Sequence, residues 1–115
     1  MIMNNCIFCK IAKKEIPADI LIDDVDFLVF KDINPKAPIH FLIIPKKHLG
    51  SVDALTLQDL EIIGKLILKA KSVAELSGVS KSGYRLIFNI GKDAGVEVNH
   101  LHLHFLAGKP LNFNF

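Results

Sequence analysis

The sequence lacks a strong excess of either charge sign. Fourteen lysines and arginines stand against 12 acidic residues, a net charge of +2 over 115 residues. A nucleic-acid surface normally carries a basic stripe. Here the basic residues are scattered, and Lys46, Lys47 and His48 are the one tight cluster. No nucleic-acid partner is expected, whereas a small anion needs only one or two placed cations or amides. Long apolar runs are lacking too. The helical segment from about Leu57 to Leu76 is interrupted by Glu61, Lys65, Lys69 and Lys71, so it does not read as a membrane span. Met1 to Phe8 shows no charged n-region and no long apolar run, unlike a signal peptide. The expectation is a cytoplasmic protein with no membrane partner. There is no repeat, linker or low-complexity segment. Cysteine is scarce: Cys6 and Cys9 are the only two. In a reducing compartment they read as metal ligands or plain thiols rather than as a structural disulfide.

What is present suffices for one core. Half of the residues are apolar (50%), and 115 residues fit a single domain, 1–115. A short helix is expected over Ile7 to Lys14, stopped by Pro17. Strands are expected at Ile20 to Asp23, Phe27 to Phe30 and Ile39 to Ile44, the last closed by Pro45. The long helix is expected to have Thr56 as N-cap, Asp59 in the first turn and Gly78 as C-cap. Leu60, Ile63, Ile67, Ala70 and Ala74 recur at three- and four-residue spacing and predict its core face. A strand from Tyr84 to Asn89, a loop from Gly91 to Gly95 and a last strand from about Asn99 to Leu106 complete the chain. Short connections and few helical crossovers predict an α+β fold. It has a mainly antiparallel sheet of about five strands, with one long and one short helix on one side.

The chemistry concentrates in His100, His102 and His104. At alternate strand positions their side chains share one face, while Leu101, Leu103 and Phe105 take the other, toward the core. Neighbours in such a row stand about 6.6–6.8 Å apart and the outer pair about 13 Å. With zinc–nitrogen bonds of about 2.0–2.1 Å, two neighbours can share a zinc but all three would strain. A solvated polar strand face is the bland alternative. Nucleophilic catalysis fits better. A neutral imidazole is a good nucleophile near neutral pH once its second nitrogen is held protonated. Attack on phosphorus then divides one difficult substitution into two easier ones. Gly91 and Gly95 allow close approach of backbone to an anion, and the loop's N–H groups can form a small nest.

The segment His100-Leu101-His102-Leu103-His104-Phe105-Leu106 matches the signature of the histidine triad family, His-φ-His-φ-His-φ-φ with φ apolar. The resemblance covers nearly the whole chain. Ile7 to Ile11, Glu15 to Ala18, Phe30 to Pro35, Pro38 to His48 and Gly83 to Leu86 are similar to the Hint branch, in the right order. The resemblance implies the HIT-like fold and a purine nucleoside phosphoramidate hydrolase, cutting the P–N bond between a nucleoside monophosphate and an amine. It implies His102 as nucleophile, flanked by His100 and His104, with the His100 carbonyl fixing the tautomer of His102 and His40 in support. Asp32 matches the carboxylate that accepts from the ribose hydroxyls, as an acceptor-only group suits a diol. Phe8, Ile11, Phe30, Ile33 and Leu42 match the base pocket, although Ile11, Phe30 and Leu42 read equally as plain core. Asn89, Gly95 and Glu97 match positions around the phosphate and leaving group, and Val96 stands there in place of a usual glutamine. Ala94 replaces a frequent glycine and Asn99 an aromatic residue. These departures bear on rate and leaving-group preference. A homodimer is implied, with paired long helices and joined sheets. The tail from Leu111 to Phe115 is implied to reach the partner's site.

By itself Cys6-x-x-Cys9 is redox-active, metal-binding or incidental, and the βαβ context of a redox pair is missing. Relatives with this motif bind a structural zinc through equivalents of Cys6, Cys9, His48 and His100. Relatives without the cysteines still work, so such a zinc would be stabilising. Three other readings stay open: a dinucleoside polyphosphate hydrolase, a nucleotide-binding module with incidental catalysis, and a zinc-dependent hydrolase.

Overall fold

The computed structural model describes residues 6–112. Helix α1 (Ile7–Ala12) leads into strands β1 (Ile20–Asp23), β2 (Phe27–Lys31) and β3 (Ile39–Pro45). Helix α2 (Leu60–Ser77), β4 (Tyr84–Ile87) and β5 (Leu103–Ala107) follow. The strands form one antiparallel sheet in the order β1-β2-β3-β5-β4. Among the described residues, no helix is long and apolar enough to cross a membrane.

Side chains alternate across a strand, and here both faces are buried. Phe27, Val29, Phe41, Ile43, Leu103 and Phe105 pack with Leu66, Ala70 and Val73 of α2. Leu28, Phe30, Leu42 and Ile44 pack instead with Phe8, Cys9 and Ile11 of α1. The two helices therefore lie on opposite faces of the sheet, which corrects the expectation of helices on one side. The central strands carry apolar residues on both faces over most of their length, so their pattern carried no sign of which face each helix covers.

Helix α2 begins as expected. The Thr56 hydroxyl accepts the Gln58 N–H, and the Asp59 carboxylate accepts the Thr56 N–H at 2.9 Å, closing a capping box. Residues Leu57–Asp59 form a 3₁₀ turn before the α-helix proper. Gly78 ends it at φ 71°, a left-handed position that suits glycine. The buried face matches the expected one in part: Ala70 and Ala74 are buried and Ile63 packs against the core, as expected. Leu66, Ala70, Val73 and Ala74 are buried, while Leu60 and Ile67 are exposed. The helix carries two adjoining apolar stripes, and the expected set mixed them. Helix α1 is shorter than expected because the chain turns at Lys14 (φ 65°), where the Glu15 N–H reaches the Lys10 carbonyl at 2.8 Å.

Candidate active site

Strand β5 starts at Leu103, so His104 lies in the strand while His100 and His102 precede it. The ladder between β3 and β5 runs from Ile39↔Ala107 to Ile43↔Leu103. Continuing it would set Pro45 against this segment, and proline has no N–H to donate. The freed main chain does other work. The Leu101 N–H bonds the Leu49 carbonyl at 2.6 Å, and the Pro45 carbonyl receives a side chain described below. Alternation survives without the ladder: Leu101, Leu103 and Phe105 are buried against α2. The histidines take the other side, where His100 is fully buried and its two neighbours are partly exposed.

Main-chain groups fix the tautomers. A carbonyl only accepts and an amide N–H only donates, so each names the state of the ring nitrogen it meets. His102 Nδ1–H donates to the His100 carbonyl at 2.7 Å, leaving Nε2 as the lone-pair nitrogen. His100 Nε2–H donates to the Pro45 carbonyl at 2.8 Å, leaving Nδ1 as a lone pair. The Lys36 N–H donates to His40 Nδ1 at 3.0 Å, so neutral His40 carries its proton on Nε2. That proton is donated to His104 Nδ1 at 2.9 Å, which leaves His104 an N–H donor at Nε2. Desolvation is the first cause holding His40, His100 and His104 neutral. Burial pushes His104 down to about 4, with His102 and His40 nearby adding to it. Burial likewise lowers His40, against the pull of Asp32.

Asp32 Oδ2 lies 3.4 Å from His40 Nε2, and its Oδ1 accepts the Asn34 N–H at 2.8 Å. Asp32, His40 and His104 stand close enough to be considered as metal ligands. The tautomers argue otherwise, since His40 Nε2 carries a proton rather than a lone pair. This group is a hydrogen-bond relay, and the reading as a zinc-dependent hydrolase finds no ligand set here.

Four other donors do converge. Cys6 Sγ lies 3.3 Å and Cys9 Sγ 3.5 Å from His100 Nδ1. Cys9 Sγ lies 3.3 Å and His100 Nδ1 3.1 Å from His48 Nδ1. A zinc tetrahedron with bonds of about 2.0–2.3 Å has ligand–ligand edges of about 3.3–3.8 Å. The set therefore fits a Cys2His2 metal site, closed by four protein ligands. Burial and the neighbouring Cys6 sulfur push the Cys9 thiol up to about 11, a penalty that a bound divalent cation reverses. The row of three histidines is thus divided: His100 turns to the sulfurs, His104 to the relay, and His102 stands between them.

Phe8 packs edge-on to His102, with ring centroids 5.1 Å apart, and to Phe30 at 5.6 Å. Ile11, Phe30 and Leu42 are buried in the same cluster, so they serve as core at this wall. Ile33 stands apart from it at 92% exposure. Asn89, Gly95, Val96 and Glu97 lie on the segment between β4 and β5, and among the described residues none hydrogen-bonds a histidine of the row. The expected anion nest is partly spent. Gly91 and Gly95 do take positive φ (84° and 81°), but the Ala94, Gly95 and Val96 N–H groups bond the Gly91 and Lys92 carbonyls. Lys46 and Lys47 pair with Asp23 and Asp59, which leaves no open basic patch there. Phe113 to Phe115 of the expected tail lie outside the described residues. Two participants were not foreseen, the Lys36 N–H and the Pro45 carbonyl. Main-chain groups leave no residue-type signal, and only the missing N–H of proline hinted at one.

A family model described as "Scavenger mRNA decapping enzyme C-term binding" matches residues 5–112. The purine nucleoside phosphoramidase of Escherichia coli is 42% identical over 105 residues, 91% of this chain and 88% of that protein. The crystal structure of a HIT family hydrolase from Legionella pneumophila superposes with a TM-score of 0.93 at 45% identity, over 95% of this chain and 97% of that one. A histidine triad protein from Clostridium difficile gives a TM-score of 0.95 at 41% identity, with both chains fully covered. Signature, fold and near-complete coverage agree, and the chain belongs to the histidine triad (HIT) family.

Proposed function

We propose that this chain is a nucleotide hydrolase that cleaves the P–N bond of purine nucleoside 5′-phosphoramidates. The carrying observation is the 2.7 Å bond from His102 Nδ1–H to the His100 carbonyl, which presents Nε2 as a lone pair. Nε2 attacks phosphorus and forms a bond to it; the substrate's P–N bond breaks, and the leaving amine takes its proton from solvent water. Water then cleaves the nucleotidyl–His102 bond, releasing the monophosphate and regenerating the ring. His104, kept neutral and held as an Nε2–H donor by His40, donates to the phosphate oxygens. Each Asp32 oxygen keeps a lone pair for a ribose hydroxyl beside its present partner. Phe8, Ile11, Phe30 and Leu42 form an apolar wall for the base, and exposed Ile33 is available to cover it. Cys6, Cys9, His48 and His100 would hold a zinc ion, which when bound would supply a structural crosslink. The 42% identity to a purine nucleoside phosphoramidase supports the substrate class. The working unit is a homodimer in the cytoplasm, paired through the exposed apolar stripe of α2.

The test is turnover of an adenosine 5′-phosphoramidate and of diadenosine polyphosphates by wild type and His102→Ala. Wild type is expected to release AMP from the phosphoramidate, and the variant to lose at least about 100-fold. Equal rates in the two proteins would remove His102 from its role. Preference for the polyphosphate would move the chain to the dinucleoside polyphosphate reading. Tight nucleotide binding without turnover would leave a binding module.

A further inference from the structure

The metal-ligand cluster and the nucleophile share structural parts. Helix α1 has six residues, far fewer than the roughly 12–15 that hold a helix in water unaided, so tertiary anchors set its position. Cys6 caps it, Cys9 lies within it, and Phe8 sits between the two ligands. The Phe8 ring meets His102 edge-on at 5.1 Å and His100 at 5.9 Å. A second connection runs through the main chain. The His100 side chain is locked between Pro45 and the sulfurs, and its carbonyl accepts the His102 Nδ1–H. Without a cation, the His100 Nδ1 lone pair has only the weak S–H donors of Cys6 and Cys9 and the neighbouring His48 Nδ1, 3.1 Å away, to hold it. With one, four ligand atoms are bound to a common centre.

We infer that the Cys6–Cys9–His48–His100 cluster, loaded with zinc, is a positioning device for His102. It holds Phe8 and the His100 carbonyl where together they set the plane of the nucleophile's ring and keep its Nδ1–H bonded. The inference rests on the reading of His102 as nucleophile and extends it: the cluster contributes to turnover in this chain as well as to stability. A misplacement of about 1 Å at a reacting group can cost about 10²-fold in rate, so a loosened α1 is enough to register.

The experiment uses the full chain in three forms: zinc-loaded, stripped by a chelator, and His48→Gln. His48 is the ligand to change because it lies in neither α1 nor the histidine row. Zinc content, far-UV circular dichroism and the kcat and KM for an adenosine 5′-phosphoramidate are measured. The low-field resonance of His102 Nδ1–H is followed at one fixed pH in histidine-labelled protein. The expected result is one zinc per wild-type chain. Stripped protein and His48→Gln keep their fold but lose or broaden the His102 resonance. Their kcat falls about 10–100-fold while KM stays within about twofold. Zinc then restores stripped wild type and leaves His48→Gln impaired. A purely stabilising cluster would lower Tm and leave kcat and the resonance unmoved, which would overturn the inference, as would failure to bind zinc. If stripping unfolds the chain, zinc-loaded Phe8→Leu decides: the resonance broadens with zinc retained, or the inference is lost. Absence of phosphoramidate turnover in wild type would defeat the proposed function alone, because the resonance is read without substrate.

Discussion

At the scale of single residues, the histidines are told apart by what their second nitrogens touch. His100, His102 and His104 look equivalent in sequence. A carbonyl, a second carbonyl and a relay from the Lys36 N–H make them a lone pair facing the cysteine sulfurs, a lone pair at His102 Nε2 and a donor. Keeping such rings neutral inside the fold has a consequence for stability. The pKa of His104 is depressed to about 4 when folded, against an ordinary 6.5. Above 6.5 the ring is neutral in both states and costs nothing. Between 6.5 and about 4 the unfolded chain binds the extra proton, so stability falls as pH falls. The loss from this ring stays below about 3.5 kcal/mol, at roughly 1.4 kcal/mol per unit. Urea unfolding of wild type and His104→Asn at pH 7 and pH 5 checks this. The variant is expected to lose less between the two pH values, and an equal loss would show that His104 is not the titrating group. The presence of the histidines was legible in sequence because it rests on residue type. Their division of labour was not, because it rests on main-chain atoms and on Pro45 ending the ladder. Ile33 shows the converse: a match to a base-pocket position did not reveal that its side chain stands out in solvent.

At the scale of elements, the long helix was the clearest feature in sequence, and yet its buried face was read only in part. Its caps rest on local hydrogen bonds between near neighbours, so Thr56, Asp59 and Gly78 could be read from the chain itself. Its buried face depends on where the sheet lies, and with apolar residues over more than one stripe the periodicity admits two answers. Leu66 distinguishes them. It is fully buried against Val29, Ile43 and Phe105, while Leu60 faces outward at 69% exposure. Leu66→Ala should therefore cost about 2–5 kcal/mol through lost burial and a residual cavity. Denaturant unfolding under conditions that keep the chain monomeric gives the comparison. Leu60→Ala is expected to stay within about 0.5 kcal/mol there. A larger cost for Leu60 than for Leu66 would mean that the helix is rotated from the orientation described.

At the scale of the whole molecule, that outward stripe is an exposed apolar feature, among the described residues, that the candidate site does not use. Leu57 in the turn before α2 and Leu60, Ile67 and Leu68 on it are exposed, and Gly64 among them has open space where a Cβ would stand. The last three apolar residues and the glycine recur at three- and four-residue spacing, so they line up on one flank. That flank borders the face packed on the sheet without joining it, which is why the two merged in the sequence pattern. Single exposed apolar residues are ordinary, but a contiguous row of this kind is the surface that the proposed dimer would cover. A two-fold pairing would bring each stripe against its own copy, and the small residue would let the helix backbones approach. Charge placed at its centre tests the dimer directly. Ile67→Glu is expected to shift the chain from dimer to monomer in sedimentation or light scattering, with little change in the circular dichroism of the fold. The same charge at Leu76, which is exposed at the far end of the helix, should disturb the dimer less. If Ile67→Glu remains a dimer with unchanged affinity, α2 is not the interface, and the stripe must be covered by something other than a second copy.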